Sequence, residues 1–93
     1  MAAGPPTAPT LFVPSPADQA VRLSWTPVEG ATAYSIKFGT EAGQYLSRVE
    51  VGALTAYTIT TLTNGKEYHF VVVASNNKGE SKDSNAMNAV SAP

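Results

Sequence analysis

The chain has 93 residues, 43% hydrophobic and 14% charged, with a formal net charge of -1 and no cysteine, so one packed core must form without disulfides, thiolate chemistry or cysteine zinc sites. The six basic residues Arg22, Lys37, Arg48, Lys66, Lys78 and Lys82 are scattered among seven acids, which leaves no basic stripe for phosphates and excludes nucleic acid as an expected partner. No apolar stretch approaches the roughly 20 residues of a membrane helix, and no membrane partner is expected.

The first nine residues are Ala, Gly, Pro and Thr after Met1, and 88–93 reads Asn-Ala-Val-Ser-Ala-Pro. Such segments lack the apolar surface to fold alone, so 1–9 and 88–93 are expected linkers around a domain over 10–87. The opening residues have neither the basic nor the apolar region of a signal peptide. If the protein is exported, its signal is expected elsewhere in a longer chain.

Between these ends, short apolar-polar alternations recur at the spacing of an all-β sandwich, with seven strands expected. Leu11 and Val13 share one face of a first strand ended by Pro14 and Pro16. The alternation over 20–25 puts Val21, Leu23 and Trp25 inward and Arg22 and Ser24 outward. Pro27 and Gly30 then break the pattern. A third strand over 33–39 buries Tyr34, Ile36 and Phe38, and the glycine-containing segment 39–43 turns the chain into a fourth over 45–51, with Val49 and Val51 buried. Tyr57 and Ile59 mark the fifth strand, Tyr68, Phe70, Val72 and Ala74 the sixth, and 81–87 a weak seventh. That last strand is polar and carries both charge signs, a composition that discourages strand addition, so the domain is expected to be a monomer.

Asn64-Gly65 between two strand patterns ordinarily signals a two-residue hairpin. Leu62 and Tyr68 bracket it, however, in the spacing of a tyrosine corner, whose hydroxyl bonds to backbone a few residues upstream. The turn is therefore read as a crossing between sheets.

Four motifs occur in order: Leu23-Ser24-Trp25 followed by Pro27, Gly30-Ala31-x-x-Tyr34-x-Ile36, Leu62-x-x-Gly65-x-x-Tyr68-x-Phe70, and Ala74-x-Asn76-x-x-Gly79-x-Ser81. Over nearly its whole length the chain resembles a fibronectin type III domain. The resemblance implies an immunoglobulin-like, seven-stranded antiparallel β-sandwich with sheets ABE and CC′FG, and structural roles for Trp25, Tyr34, Leu62 and Tyr68. Gly30-Ala31-Thr32-Ala33-Tyr34 and Asn64-Gly65-Lys66-x-Tyr68 resemble bacterial modules inserted in secreted polysaccharide-degrading enzymes. The segment 75–80 contains no Arg-Gly-Asp, so integrin binding is not carried over.

No catalytic, cofactor or metal site is expected. His69 is the single histidine, and with Glu67 on the same outer face it is read as a solvated surface residue, one donor being too few for zinc. No Gly-x-Ser-x-Gly elbow occurs, and Glu29, Glu41, Glu50 and Glu80 fall on loops and outer faces without the cleft that paired carboxylates need. Asn76, Asn77, Glu80, Asp83 and Asn85 gather oxygen donors but lack calcium-loop spacing. Phe12 and Tyr45 are the candidate contact residues, since exposed aromatics stack on sugar rings or anchor a partner protein. The expected role is that of a noncatalytic spacer in a secreted or surface protein, with neighbouring domains as partners. The alternative is a module that binds polysaccharide or a protein surface.

Overall fold

Wherever β-branched and aromatic residues alternate with polar ones, the chain runs extended, and the computed structural model, which describes residues 4–93, contains eight strands. They are β1 (Ser15–Ala17), β2 (Ala20–Ser24), β3 (Ala33–Gly39), β4 (Ser47–Gly52), β5 (Ala56–Ile59), β6 (Glu67–Asn76), β7 (Gly79–Glu80) and β8 (Met87–Val90). One antiparallel sheet has the order β1-β2-β5; in the other, β4-β3-β6-β7 are neighbours and β8 also pairs with β6. In the lettering above, β1, β2 and β5 are A, B and E, while β3, β4 and β6 are C, C′ and F.

The strand count exceeds the expected seven because the last strand is split. Instead of a continuous strand over 81–87, β7 and β8 flank a segment in which two serine hydroxyls do the work of backbone. Ser81 donates its N–H to the Ala74 carbonyl at 2.7 Å and its Oγ accepts from the Ala74 N–H at 2.8 Å. Ser84 repeats the arrangement on Val72, at 2.9 and 2.8 Å. Buried backbone groups of β6 thus find partners without a regular ladder.

The first strand also differs from expectation. Leu11 bridges to Trp25 and is buried, but Val13 is 78% exposed. Pro14 takes the inward position instead, and β1 begins after it and contains Pro16. Proline is tolerated there because β1 is the edge of its sheet, where a missing N–H breaks no ladder bond. Tyr57 lies opposite Leu23 on the inner face, yet is exposed because β5 forms the other edge of that sheet.

The fourth strand starts at Ser47 rather than at Tyr45. The chain between β3 and β4 folds back so closely that a Cβ on Gly39 would lie 2.2 Å from the Gln44 carbonyl oxygen, so only glycine fits. Further along, Gly52 pairs with Tyr34 and Glu50 with Ser35, leaving Val51 as the extra residue of a bulge.

Between the sheets, Val21, Leu23 and Trp25 meet Tyr34, Ile36, Phe70, Val72 and Ala74, with Leu11, Ile59, Leu62 and Ala89 closing the ends. Trp25 and Tyr34 are tilted at 56° with ring centroids 6.0 Å apart, and Phe38 stacks on Phe70 at 5.8 Å, distances at which aromatic pairs attract beyond their area burial. Val71 and Val73 face outward from β6 but are also buried; their cross-strand neighbours on that face are Lys37 and Ser35.

The ends are not the free linkers expected. Asn88 to Val90 lie in β8, and Ser91 is wholly buried. The physical reason is polar satisfaction: Ser91 supplies a carbonyl to the Gly65 N–H at 2.9 Å and a hydroxyl to the Thr63 carbonyl at 3.2 Å. At the other end Pro6 and Pro9 are buried; residues 1–3 of the expected linker lie outside the described residues.

Trp25 sits 2% exposed at the centre of this core. Trp25→Ala is expected to cost about 3 to 5 kcal/mol, a large part of the roughly 5 to 15 kcal/mol by which such a domain is stable. A chemical denaturation midpoint equal to that of the unaltered chain would remove Trp25 from the core.

Candidate functional site

The corner after β5 is where the chain leaves one sheet for the other, and it is built from hydrogen bonds between short polar side chains and backbone. Leu62 is inserted in the core, and its N–H donates to the Gln19 carbonyl at 2.9 Å. The Tyr68 hydroxyl accepts from the Thr63 N–H at 3.0 Å. Hydrogen bonding to Thr63, assisted by the Lys66 charge and opposed by burial, holds the Tyr68 hydroxyl below the usual phenol range. Gly65 has φ of 83°, the left-handed region that favours glycine. Asn64 ties the corner to the β1–β2 turn: its Oδ1 accepts from the Gln19 N–H at 2.7 Å and its Nδ2 donates to Asp18 at 2.8 Å. Gln19 and Thr61 themselves adopt positive φ, 55° and 61°, which for β-branched Thr61 is strained and is held by the bonds around it.

At the opposite pole, Tyr34 anchors the segment between β2 and β3 by accepting from the Val28 N–H at 2.8 Å. Asn85 joins the N-terminal segment to the segment between β7 and β8. Its Oδ1 accepts from the Leu11 N–H at 2.8 Å, and its Nδ2 donates to the Leu11 carbonyl at 2.9 Å. A side-chain amide thus completes a backbone pairing that no strand supplies.

The two candidate contact aromatics do not come together. Phe12 is 48% exposed beside Ser24, where β2 ends, whereas Tyr45 is half-buried between β3 and β4 near Gly39, at the other pole. The remaining large exposed apolar residues, Val13, Leu46, Leu54, Tyr57 and Val90, are distributed among different elements. Among the described residues no cleft opens in the surface.

The titratable groups pair off locally rather than converging. Arg48 bonds Glu80 through its guanidinium, donates to Ser35 Oγ at 3.2 Å and lies 3.7 Å from Glu50. Lys37 is 2.6 Å from Asp83. His69 is half-buried rather than solvated, with Nε2 at 3.5 Å from Glu67, whose other oxygen accepts from Asn88 at 2.5 Å. It lies opposite Gly39 and Asn88 in the sheet, so both flanks are occupied. Of the oxygen donors noted for calcium, Asn76 caps its own turn through the Lys78 N–H at 2.8 Å, Asn85 holds Leu11, and the two carboxylates hold cations. No group of three His, Asp or Glu side chains is placed to share a metal among the described residues.

Sequence reasoning gave Ser81, Ser84 and Asn85 to an ordinary seventh strand and Ser91 to a linker, without the backbone-like roles their side chains take. Ser81 and Ser84 stand three residues apart while their partners Ala74 and Val72 stand two apart, so neither their spacing nor Ser91 carried a register signal.

A family model described as "Fibronectin type III domain" matches residues 4–90. The chain belongs to the fibronectin type III family. It is 35% identical over 83 residues to the Kelch domain-containing protein SSO1033 of Saccharolobus solfataricus, a match that takes in 89% of this chain and 11% of that protein. The chain thus spans about a tenth of that relative's length. Among solved structures, a β-1,2-glucanase from Parabacteroides distasonis superposes with a TM-score of 0.84 at 24% identity, over 99% of this chain and 14% of that one. The crystal structure of FN3tt superposes with a TM-score of 0.78 at 22% identity, over 96% of this chain and 97% of that one. At these identities the superpositions speak for the fold, a two-sheet antiparallel sandwich.

Two outcomes are expected. Tyr68→Phe leaves the ring in place and the Thr63 N–H without its acceptor, so stability should fall by about 1 to 3 kcal/mol with the fold intact; an unchanged midpoint would show that water serves the N–H equally well. The second concerns pH. The Arg48 hydrogen bond, assisted by the Arg48 and Lys37 charges and opposed by burial and Asp83, holds the Glu80 carboxyl below its ordinary 4.5. A folded value below the unfolded one stabilises above pH 4.5 and loses that stabilisation as pH falls through the folded value. Because the pair is about half exposed, Glu80→Gln should cost no more than about 1 kcal/mol at pH 7, with the difference closing on acidification. A constant difference in urea midpoint between pH 7 and pH 3 would contradict the assignment.

Proposed function

We propose that this fibronectin type III domain is a noncatalytic, monomeric spacer that separates and orients neighbouring domains in a longer protein. The observation that carries the reading is the placement of the ends on an elongated body. The principal extents are 49 × 22 × 18 Å. Gly4 lies beside Gly30 and Asn76 at one pole, whereas Ser91 lies beside Thr63 and Gly65 at the other. A neighbour attached at each end is thereby held apart by the length of the sandwich.

The parent is proposed to be a secreted or surface-exposed bacterial protein that acts on polysaccharide. The wording of the turn motifs supports this, as does the fold likeness to part of a β-1,2-glucanase. The surface supports a mechanical role over a chemical one: its ion pairs are local, its exposed aromatics are dispersed, and the rim of β4 carries Arg48 and Glu50, charges that oppose strand addition.

The test has two arms. In the parent protein, deletion of the domain should leave turnover of small soluble substrates unchanged and impair action on extended polymer, and an unrelated sandwich of similar length should restore it, because tethered domains depend on whether their connection spans the distance between sites. Restoration by this sequence alone would sink the spacer reading. In the second arm, the isolated domain should not be retained on cellulose, chitin, starch or xylan. Retention abolished by Phe12→Ala with Tyr45→Ala would replace the spacer with a carbohydrate-binding module.

A further inference from the structure

Proline-rich and alanine-rich segments flanking a domain normally behave as semi-flexible tethers, yet here both are built into the sandwich. At the first pole, the Asn76 side chain lies between two backbone segments, with Nδ2 donating to the Gly4 carbonyl at 3.3 Å and to the Gly30 carbonyl at 3.2 Å. Its Oδ1 is already engaged with the Lys78 N–H, so one amide fixes the β6–β7 turn, the β2–β3 segment and the incoming chain together. Pro5 sits over Gly79, close enough that a Cβ there would be 3.5 Å from Pro5 Cγ. Pro6 and Pro9 are buried. Thr10 then exchanges hydrogen bonds with Thr26, its N–H donating to Oγ1 and its carbonyl accepting from the Thr26 N–H, both at 3.0 Å.

At the second pole the outgoing chain is held by the corner itself. Ser91 bonds Gly65 and Thr63, and Ala92 donates its N–H to the Ala17 carbonyl at 3.2 Å. The segment thereby lies against both sheets, since Ala17 ends β1 and Gly65 precedes β6.

We infer that the connecting segments over 4–9 and 90–92 are seated parts of the fold, with Asn76 as the positioning residue for the incoming one, so that the domain acts as a rod that includes both segments. This rests on the spacer reading and adds that the direction in which each neighbour leaves, not only its distance, is imposed by the domain.

Backbone 15N relaxation on the 93-residue chain tests it. Thr7, Ala8, Val90 and Ala92 are expected to show order parameters near the rigid-backbone value of about 0.85; values below about 0.6 would overturn the inference, while leaving a flexible spacer intact and testable by domain replacement. Asn76→Asp keeps the acceptor for the Lys78 N–H and removes the donor to Gly4 and Gly30. It should lower the order parameters of Thr7 and Ala8 and leave Ala92 unchanged. Pro6→Gly, which alters only the incoming segment, should do the same and guards against misfolding of the turn variant. Thr7 and Ala8 remaining rigid in both variants would remove Asn76 from its role.

Discussion

Everything in this molecule depends on two sheets being held face to face without a covalent link. The contact that does so is apolar: Trp25 from one sheet against Tyr34 from the other, with Val21, Leu23, Ile36, Phe70 and Val72 filling the layer around them. Since the chain has no cysteine, packing density, the corner at 62–68 and hydrogen bonds such as those of Asn85 and Ala92 fix the separation and registration of the layers. Two tyrosines serve twice, the ring packing on the core while the oxygen holds a loop, Tyr34 at one pole and Tyr68 at the other.

The inner faces were legible from alternation alone, because a period of two is a direct image of which side of a strand is dry. Trp25, Tyr34, Ile36, Phe70 and Val72 are inward for that reason, and the corner was legible because tyrosine at that distance from leucine has few other uses. Alternation fails where strand geometry does. Val13 is exposed because Pro14 takes the inward place, and Tyr57 is on the inner face yet wet because its strand is an edge. Outward Val71 and Val73 are dry too, flanked across the strand by Lys37 and Ser35, a placement no local window contains.

The ends and the last strand were misread for a shared cause. Composition treats serine, asparagine and proline as loop formers, and here they substitute for the sheet: Ser81 and Ser84 present hydroxyls to β6, Asn85 presents an amide to Leu11, and Ser91 presents both carbonyl and hydroxyl to the corner. These partners are up to 74 residues away in sequence. Only the closed fold reveals them. Of the groups weighed for chemistry, Glu67, His69, Asn76, Glu80, Asp83 and Asn85 each have a local structural partner.

The split last strand has a consequence for its own register. A strand held by a uniform ladder can slide by two residues and recover its bonds. Here the bonds are not uniform. Hydroxyls at 81 and 84 meet the amides of Ala74 and Val72, and a slip in either direction would set Lys82 or Asp83 against one of those amides. The segment between β7 and β8 therefore works as a keyed closure of the β6 margin, holding one register by the mismatch that any other would create.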